Sequence, residues 1–373
     1  MSLELEERLV AKANKAKFPL TANFELSPMC NLHCDMCFIR TEKSVVERLG
    51  GLHSVDEWLD LAKQFQQLGT LFILLTGGEP LMYPGFKELY TELKKMGFIM
   101  TINTNGTLID EEMAQLFHQY TPRRVNVTFY GSTPETYEAL SHNAAGYERC
   151  MQGLRLLKQY NIDTKMNISV VRQNKAEYAQ LIATAKELDM PVVVNAYMFP
   201  CMRKNCSATR HIVDERLDPD EAAAAMVEYL KYKHETDFEQ FVSEMFMLLD
   251  AMEPKGPLGL ECRAASSSCW VNWQQQLSPC VMMESPRVDL HQMLVANAWK
   301  EIVEKGQQVT PHEECTGCKL RTLCEVCYAG ACHEKEICGN LDYLCRMTHR
   351  KREILEQYKI DLKKESAELG YTK

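Results

Sequence analysis

The sequence lacks any uninterrupted run of about 18 apolar residues, the length a membrane-spanning helix needs. Its first residues, MSLELEERLVAKANKAK, are charged throughout and hold no apolar stretch of the kind that marks a secretory signal. Positive charge is also in short supply. The net charge of −9 argues against a nucleic-acid-binding body and against an anionic membrane surface. Self-similarity at a period of roughly 20–50 residues is absent beyond alternating strand–helix units, which excludes a solenoid. These absences lead to the expectation of a cytoplasmic protein with neither nucleic acid nor membrane as partner.

What is present in excess is cysteine, sixteen in 373 residues. A disulfide framework belongs to oxidising compartments and to small domains without a core. This chain is long enough for one large α/β domain and a smaller one, and its apolar content, 46%, is ordinary for a globular core. Metal or cluster ligation is the better account of the thiols, and it makes the protein oxygen-sensitive and its host context anaerobic or well reduced.

The first 17 residues read as an amphipathic helix. From Phe18 apolar residues alternate through Leu20, Ala22, Phe24 and Leu26, the period of a strand. Cys30, Cys34 and Cys37 follow in a C-x3-C-x2-C loop. Ser54-Val55-Asp56-Glu57 is a capping box opening a helix towards Gly69. Leu71–Leu75 reads as a buried parallel strand, and a helix opened by Pro84 is closed by Gly97. Strands are expected at 98–103, 125–129, 165–171 and 192–198, alternating with helices from Asp110, Thr133, Tyr147 and Lys175. Six strand–helix units imply a parallel sheet with helices outside, curled by right-handed crossovers into a partial (βα)6 TIM-like barrel. Chemistry in such barrels sits in the loops after the strands, where the cysteine loop lies. Past Pro200 two further helices, Asp220–Lys233 and Phe238–Met252, lead to the Pro/Gly cluster at 254–257. Ten cysteines then fall between Cys262 and Cys345 with little periodicity, as in a domain folded around metal rather than around a core. A Lys/Glu-rich helical tail ends the chain.

Three thiolates can hold three irons of a [4Fe–4S] cube and leave the fourth open. The second strand ends in Thr76-Gly77-Gly78-Glu79-Pro80, whose glycines let a ligand approach the backbone closely. A C-x3-C-x2-C after strand one followed by a GGEP loop after strand two resembles the radical S-adenosylmethionine (radical SAM) superfamily. The resemblance implies that SAM chelates the open iron. One electron then breaks its sulfonium C–S bond, and a 5′-deoxyadenosyl radical abstracts hydrogen from a substrate. It also implies that Gly77, Gly78, Glu79 and Pro80 receive the SAM amino group and that Asn105, Thr128 and Asn167 contact SAM; the plain alternative for these last three is a polar strand end. Met36 stands where relatives usually carry an aromatic residue beside the adenine, a role methionine fills by apolar contact.

The C-terminal pattern C-x2-C-x5-C-x2-C plus Cys345 resembles the cysteine-rich SPASM extension of this superfamily. By that resemblance one auxiliary [4Fe–4S] cluster takes Cys262, Cys269, Cys280 and Cys327, and a second takes Cys315, Cys318, Cys324 and Cys345. The family usually spaces Cys324 and Cys327 one residue further apart, and Cys332 is the nearest substitute for Cys327. A zinc ribbon is the alternative. Cys150 reads as a buried structural thiol. Cys201 and Cys206, beyond strand six, are candidate catalytic thiols for hydrogen donation or substrate contact, and the basic run at 203–211 a candidate contact for an acidic peptide. Expected domains are 1–17 (helix), 18–205 (barrel), 206–257 (connecting helices), 258–350 (SPASM) and 351–373 (tail).

The resemblance implies a radical SAM oxidoreductase that matures a ribosomally made peptide by a thioether or C–C crosslink or a related modification. Formylglycine-forming sulfatase maturases are a second reading, weakened because Val281 replaces their Asp after Cys280, with Glu284 the substitute. An enzyme acting on a small molecule or cofactor precursor is a third, and a cluster-bearing electron-transfer protein a fourth, which has no need of a GGEP loop. A flavodoxin or ferredoxin is the implied electron donor. With 17 residues before strand one, any leader peptide is expected to be bound by a separate protein or by the barrel and SPASM surfaces.

Overall fold

The computed structural model describes residues 3–200, 211–251, 260, 262–310, 312–324 and 326–368. Helix α1 (Leu3–Ala16) precedes strand β1 (Thr21–Ser27). Helices α2 (Lys43–Arg48) and α3 (Val55–Gln67) lead to β2 (Phe72–Gly77), then α4 (Phe86–Lys95), β3 (Ile99–Thr104), α5 (Glu111–Gln119) and β4 (Arg124–Phe129). Next come α6 (Pro134–Ser141), α7 (Gly146–Gln159), β5 (Thr164–Ser169), α8 (Tyr178–Glu187) and β6 (Val192–Asn195). Helices α9 (His211–Glu215), α10 (Pro219–Lys233) and α11 (Phe238–Ala251) follow. Strands β7 (Ser268–Val271), β8 (Gln276–Ser278) and β9 (Val288–Asp289) precede α12 (Val295–Gly306), α13 (Tyr328–Cys338) and α14 (Asp342–Glu368).

The six parallel strands stand in sequential order, β1 to β6, each paired with the next. Register sorts their side chains by chemistry. Ala22, Ile73, Met100, Val125 and Met166 share the helix-covered face and are fully or almost fully buried. Burying each such large side chain contributes about 1.5–3 kcal/mol. The opposite face is largely polar, with Asn103 opposite Asn126 and Thr128 opposite Asn167. This alternation is the reason the strands were legible, and it leaves a hydrophilic interior at the strand ends.

Helix starts follow the caps. The Ser54 hydroxyl accepts from Glu57 N–H while the Glu57 carboxylate accepts from Ser54 N–H. Asp110 and Thr133 cap α5 and α6, and Asp218 makes a capping box with Glu221 at α10. The helix expected from Pro84 begins two residues later, because Gly85 takes the capping position.

The cysteine-rich segment departs from expectation. It does not fold around metal alone. Strand β7 pairs parallel with β1, Ala22 opposite Cys269 and Phe24 opposite Val271, and β8 and β9 extend the same sheet antiparallel to nine strands. Cys269, Val271, Leu277, Ala298, Trp299 and Ile302 thereby join the core of the barrel. Among the described residues, no helix is long and apolar enough to cross a membrane.

Candidate active site

Cys30, Cys34, Cys37 and Met36 line one cavity of about 390 Å³ at the C-terminal ends of the strands, a size within the small-molecule range of roughly 300–1,000 Å³. Gly77, Gly78, Asn105 and Thr128 also line it, and among the described residues Glu79, Pro80 and Asn167 do not. Asn167 shares a register position with Thr128, on the same sheet face.

The cysteine loop is held from several sides. His33 N–H donates to the Ser141 carbonyl at 2.9 Å and the His142 ring meets Asp35 at 2.7 Å, which docks the loop on the end of α6. Cys37 N–H donates to the Cys34 carbonyl at 3.0 Å. The Leu32 and Arg40 N–H groups point at the sulfurs of Cys30 and Cys37. Burial pushes the Cys30 thiol up to about 12, with the Glu79 carboxylate adding to the rise. Burial also raises Cys34 far above the ordinary thiol range, opposed by a hydrogen bond from Tyr130. Thiolates so poorly solvated need a cationic partner. Three sulfurs on one cavity, each within electrostatic reach of the others, fit three corners of an iron–sulfur cube.

The GGE loop serves first to seat the chain on itself. Gly78 N–H donates to the Ser27 carbonyl at 2.8 Å and Glu79 N–H to the Met29 carbonyl at 2.9 Å. Gly77 has φ +147°, and a Cβ there would lie 2.2 Å from the Ser27 oxygen; one on Gly78 would lie 2.3 Å from the Met29 oxygen. The group that approaches these glycines most closely is therefore the backbone of the cysteine loop. Glu79 is fully buried and does not itself line the cavity. Its carboxylate accepts from Asn105 N–H at 2.7 Å, the Thr104 hydroxyl at 2.8 Å and Leu81 N–H at 3.0 Å. Burial raises this carboxyl to about 7 against those three donors. The Asn105 side chain donates to Cys30 Sγ at 3.6 Å and to Asn31 Oδ1 at 2.9 Å, and its own oxygen accepts from the Thr107 hydroxyl at 2.6 Å.

Sequence reading missed several lining residues. Asn103, Ser169 and Asn195 line the cavity beside Tyr130, Tyr197 and Phe199; the polar residue closing each alternating strand was the available signal. The Phe38 and Phe199 rings meet at 5.3 Å. Asn174, fully buried, donates to the Tyr130 and Ser169 carbonyls, each at 2.9 Å, and so ties the ends of β4 and β5. Behind the wall, the Tyr197 hydroxyl donates to Glu334 at 2.9 Å, and Glu334 is in turn paired with Arg216.

The auxiliary thiols divide unevenly. Cys315 lies within electrostatic reach of Cys324, Cys345 and Cys318, so the second expected set is gathered in one region. Of the first set, Cys280 faces Cys327 and Cys262. Cys269 does not join them. It is fully buried among apolar neighbours on the helix-covered face, with its thiol near the Thr21 carbonyl. The expectation that Cys269 stands with these thiols is not met, because strand register turns its side chain into the core. Cys332 has Cys327 as a neighbour and bonds with Tyr328, while Cys338 accepts from Arg216 at 3.8 Å. Among the described residues no group of three or more His, Cys, Asp or Glu side chains could hold a single metal ion. Cys150 is fully buried in the core, its thiol raised to about 12 by burial. Cys201, Cys206 and residues 203–210 lie outside the described residues.

Residues 24–185 match the Radical SAM superfamily. An AdoMet-dependent heme synthase from Methanosarcina barkeri is 27% identical over 46% of this chain and 48% of its own length, so the match spans about half of that relative. A protein of the same name from Oleidesulfovibrio alaskensis is 22% identical over 82% of this chain and 81% of its own. The antilisterial bacteriocin subtilosin biosynthesis protein AlbA of Bacillus subtilis is 25% identical over 47% of this chain and 39% of its own. In fold, the chain is similar to Streptococcus suis SuiB, with a TM-score of 0.64 over 89% of this chain and 79% of that one at 15% identity.

Proposed function

We propose that the chain, whose residues 24–185 match the Radical SAM superfamily, is a SAM-cleaving enzyme that modifies a ribosomally made peptide. The observation that carries the first half is the convergence of Cys30, Cys34 and Cys37 on a cavity walled by the GGE loop. Cys30, Cys34 and Cys37 would hold a [4Fe–4S] cluster there, which together with SAM would supply the radical chemistry for hydrogen abstraction.

The chain's own residues bind, orient and shield. Asn105 and the Leu32 and Arg40 N–H groups direct hydrogen bonds at ligand sulfurs, which favours their thiolate form. The Glu79 carboxylate locks the GGE loop against the end of β3, so that the cavity-lining backbone of Gly77 and Gly78 is fixed before SAM arrives. Met36 gives an apolar wall for an adenine. Asn103, Thr128, Ser169 and Asn195 offer amides and hydroxyls for a ribose, a carboxylate or a peptide backbone. Tyr130, Tyr197 and Phe199 keep water from the radical. Cys315, Cys318, Cys324 and Cys345 would hold an auxiliary cluster that relays the electron left on an oxidised product, and a flavodoxin- or ferredoxin-type donor would reduce the enzyme.

The peptide class rests on the AlbA relative, whose name places it in bacteriocin biosynthesis. Anaerobic turnover with a short Cys-containing peptide encoded beside this gene, read by tandem mass spectrometry, tests it. Loss of two hydrogens supports crosslinking or oxidation; unchanged mass with solvent deuterium uptake supports epimerisation; an untouched peptide alongside SAM cleavage rejects the peptide. A second reading, a small-molecule substrate related to heme precursors, is favoured by the heme synthase relative aligned over 82% of the chain. A tetrapyrrole consumed under the same conditions would support it.

A further inference from the structure

Asn105 follows β3 and lines the cavity, yet its side chain has nothing left to offer a bound molecule. An asparagine amide carries two N–H donors and two lone pairs on its oxygen, and here the chain itself takes all four. Nδ2 donates to Cys30 Sγ at 3.6 Å and to Asn31 Oδ1 at 2.9 Å. Oδ1 accepts from the Thr107 N–H at 3.0 Å and from the Thr107 hydroxyl at 2.6 Å. Both Asn105 and Thr107 are buried.

A closed ring of hydrogen bonds fixes the orientation of this amide. Asn31 Nδ2 donates to Thr107 Oγ1 at 2.8 Å. The Thr107 hydroxyl donates to Asn105 Oδ1, and Asn105 Nδ2 returns to Asn31 Oδ1. Each bond in such a ring polarises the next. Turning the amide over would set Oδ1 against the Asn31 oxygen and the Cys30 sulfur, and Nδ2 against the Thr107 N–H. The donor is therefore held towards the sulfur. The Leu32 N–H is a second donor to the same sulfur at 3.4 Å. It belongs to the main chain, whereas the Asn105 donor can be removed by substitution.

Reduction adds an electron to an iron–sulfur cluster and spreads negative charge onto its ligand sulfurs. A donor aimed at one of them favours the reduced form, and hydrogen bonds to sulfur are among the factors that set a cluster's potential.

We propose that Asn105 is a positioning residue which, through its side-chain hydrogen bond to Cys30, raises the reduction potential of the cluster held by Cys30, Cys34 and Cys37, and that this side chain does not contact SAM. One electron passes from the flavodoxin- or ferredoxin-type donor to the cluster. No bond forms or breaks at Asn105 and no proton moves there. The proposal rests on the reading of these three cysteines as cluster ligands.

The test uses the full chain, reconstituted anaerobically and poised at a series of potentials, with the electron paramagnetic resonance signal of reduced cluster recorded at each. The signal of the chain with Cys30, Cys34 and Cys37 all replaced by Ala is subtracted, which removes any cluster held elsewhere. In Asn105→Ala the iron content is expected to match the wild type. At the wild-type midpoint the ratio of reduced to oxidised cluster should fall about fivefold, the worth of one hydrogen bond. SAM affinity, read from the change that added SAM makes in the same signal, should stay as in the wild type. Should Asn105→Ala load less iron, Thr107→Val takes its place. That change breaks the ring while leaving the amide, and should shift the midpoint in the same negative direction by less. An unchanged midpoint in a fully loaded variant overturns the proposal. So does weakened SAM binding at an unchanged midpoint, which would assign the amide to SAM. A wild-type signal identical to that of the triple-Ala chain removes the cluster reading itself.

Discussion

Asn105 donates its backbone N–H to the Glu79 carboxylate at 2.7 Å, while its side-chain amide reaches Cys30 Sγ at 3.6 Å. One residue thus ties the GGE loop, the end of β3 and the Cys30 thiol together. Replacing Glu79 with Ala strands a buried N–H group, a half-buried one and a buried hydroxyl. Leaving such a group unpaired costs about 1–3 kcal/mol. A lower urea midpoint and reduced iron uptake are expected, with Glu79→Gln losing less because it keeps one acceptor.

The same carboxyl makes stability depend on pH. Burial raises it to about 7 from the ordinary value of 4.5, so the native chain binds this proton more tightly than the unfolded one. Its contribution is fully present below 4.5 and is lost as pH rises through about 7. Urea midpoints of the apoprotein between those limits should fall with pH more steeply in the wild type than in Glu79→Gln. Parallel slopes would refute this.

A methyl group on Gly78 would lie 2.3 Å from the Met29 oxygen and must push the two loops apart. A displacement of about 1 Å at a reacting site costs on the order of 10²-fold in rate. Gly78→Ala is expected to lose about that much SAM cleavage while keeping its circular dichroism spectrum.

Arg216 and Glu334 form a buried, bidentate pair behind Tyr197, with the guanidinium 3.7 Å above the Tyr343 ring. Removing one partner leaves a buried charge uncompensated, at about 3–5 kcal/mol. Arg216→Met should destabilise the chain by that order in urea unfolding. The double change Arg216→Met with Glu334→Gln should recover part of the loss.

How much of this was legible follows from which signals are local. Phe18 to Leu26 and Leu71 to Leu75 announce their strands through period and length, and Ser54 with Glu57 announces a cap. The cysteine loop and GGEP run were visible because neighbouring residues carry them. Strand β7 was hidden. Ser268-Cys269-Trp270-Val271 has too few residues for a period, and its apolar face exists only through pairing with β1. The error over Cys269 follows from that, since spacing between cysteines says nothing about which way a strand turns each side chain. The partners of the Glu79 carboxylate were hidden for a similar reason: Thr104 and Asn105 are 25 and 26 residues away in sequence.

The central claim is that Cys30, Cys34 and Cys37 hold a SAM-cleaving cluster, and its most direct measurement is 5′-deoxyadenosine formed by the reduced, anaerobically reconstituted chain. Cleavage is predicted in the wild type, with about 12 irons bound as three cubes of four, and none in Cys34→Ala. Cleavage that survives Cys34→Ala, or a fully loaded wild type that leaves bound SAM intact, would contradict it.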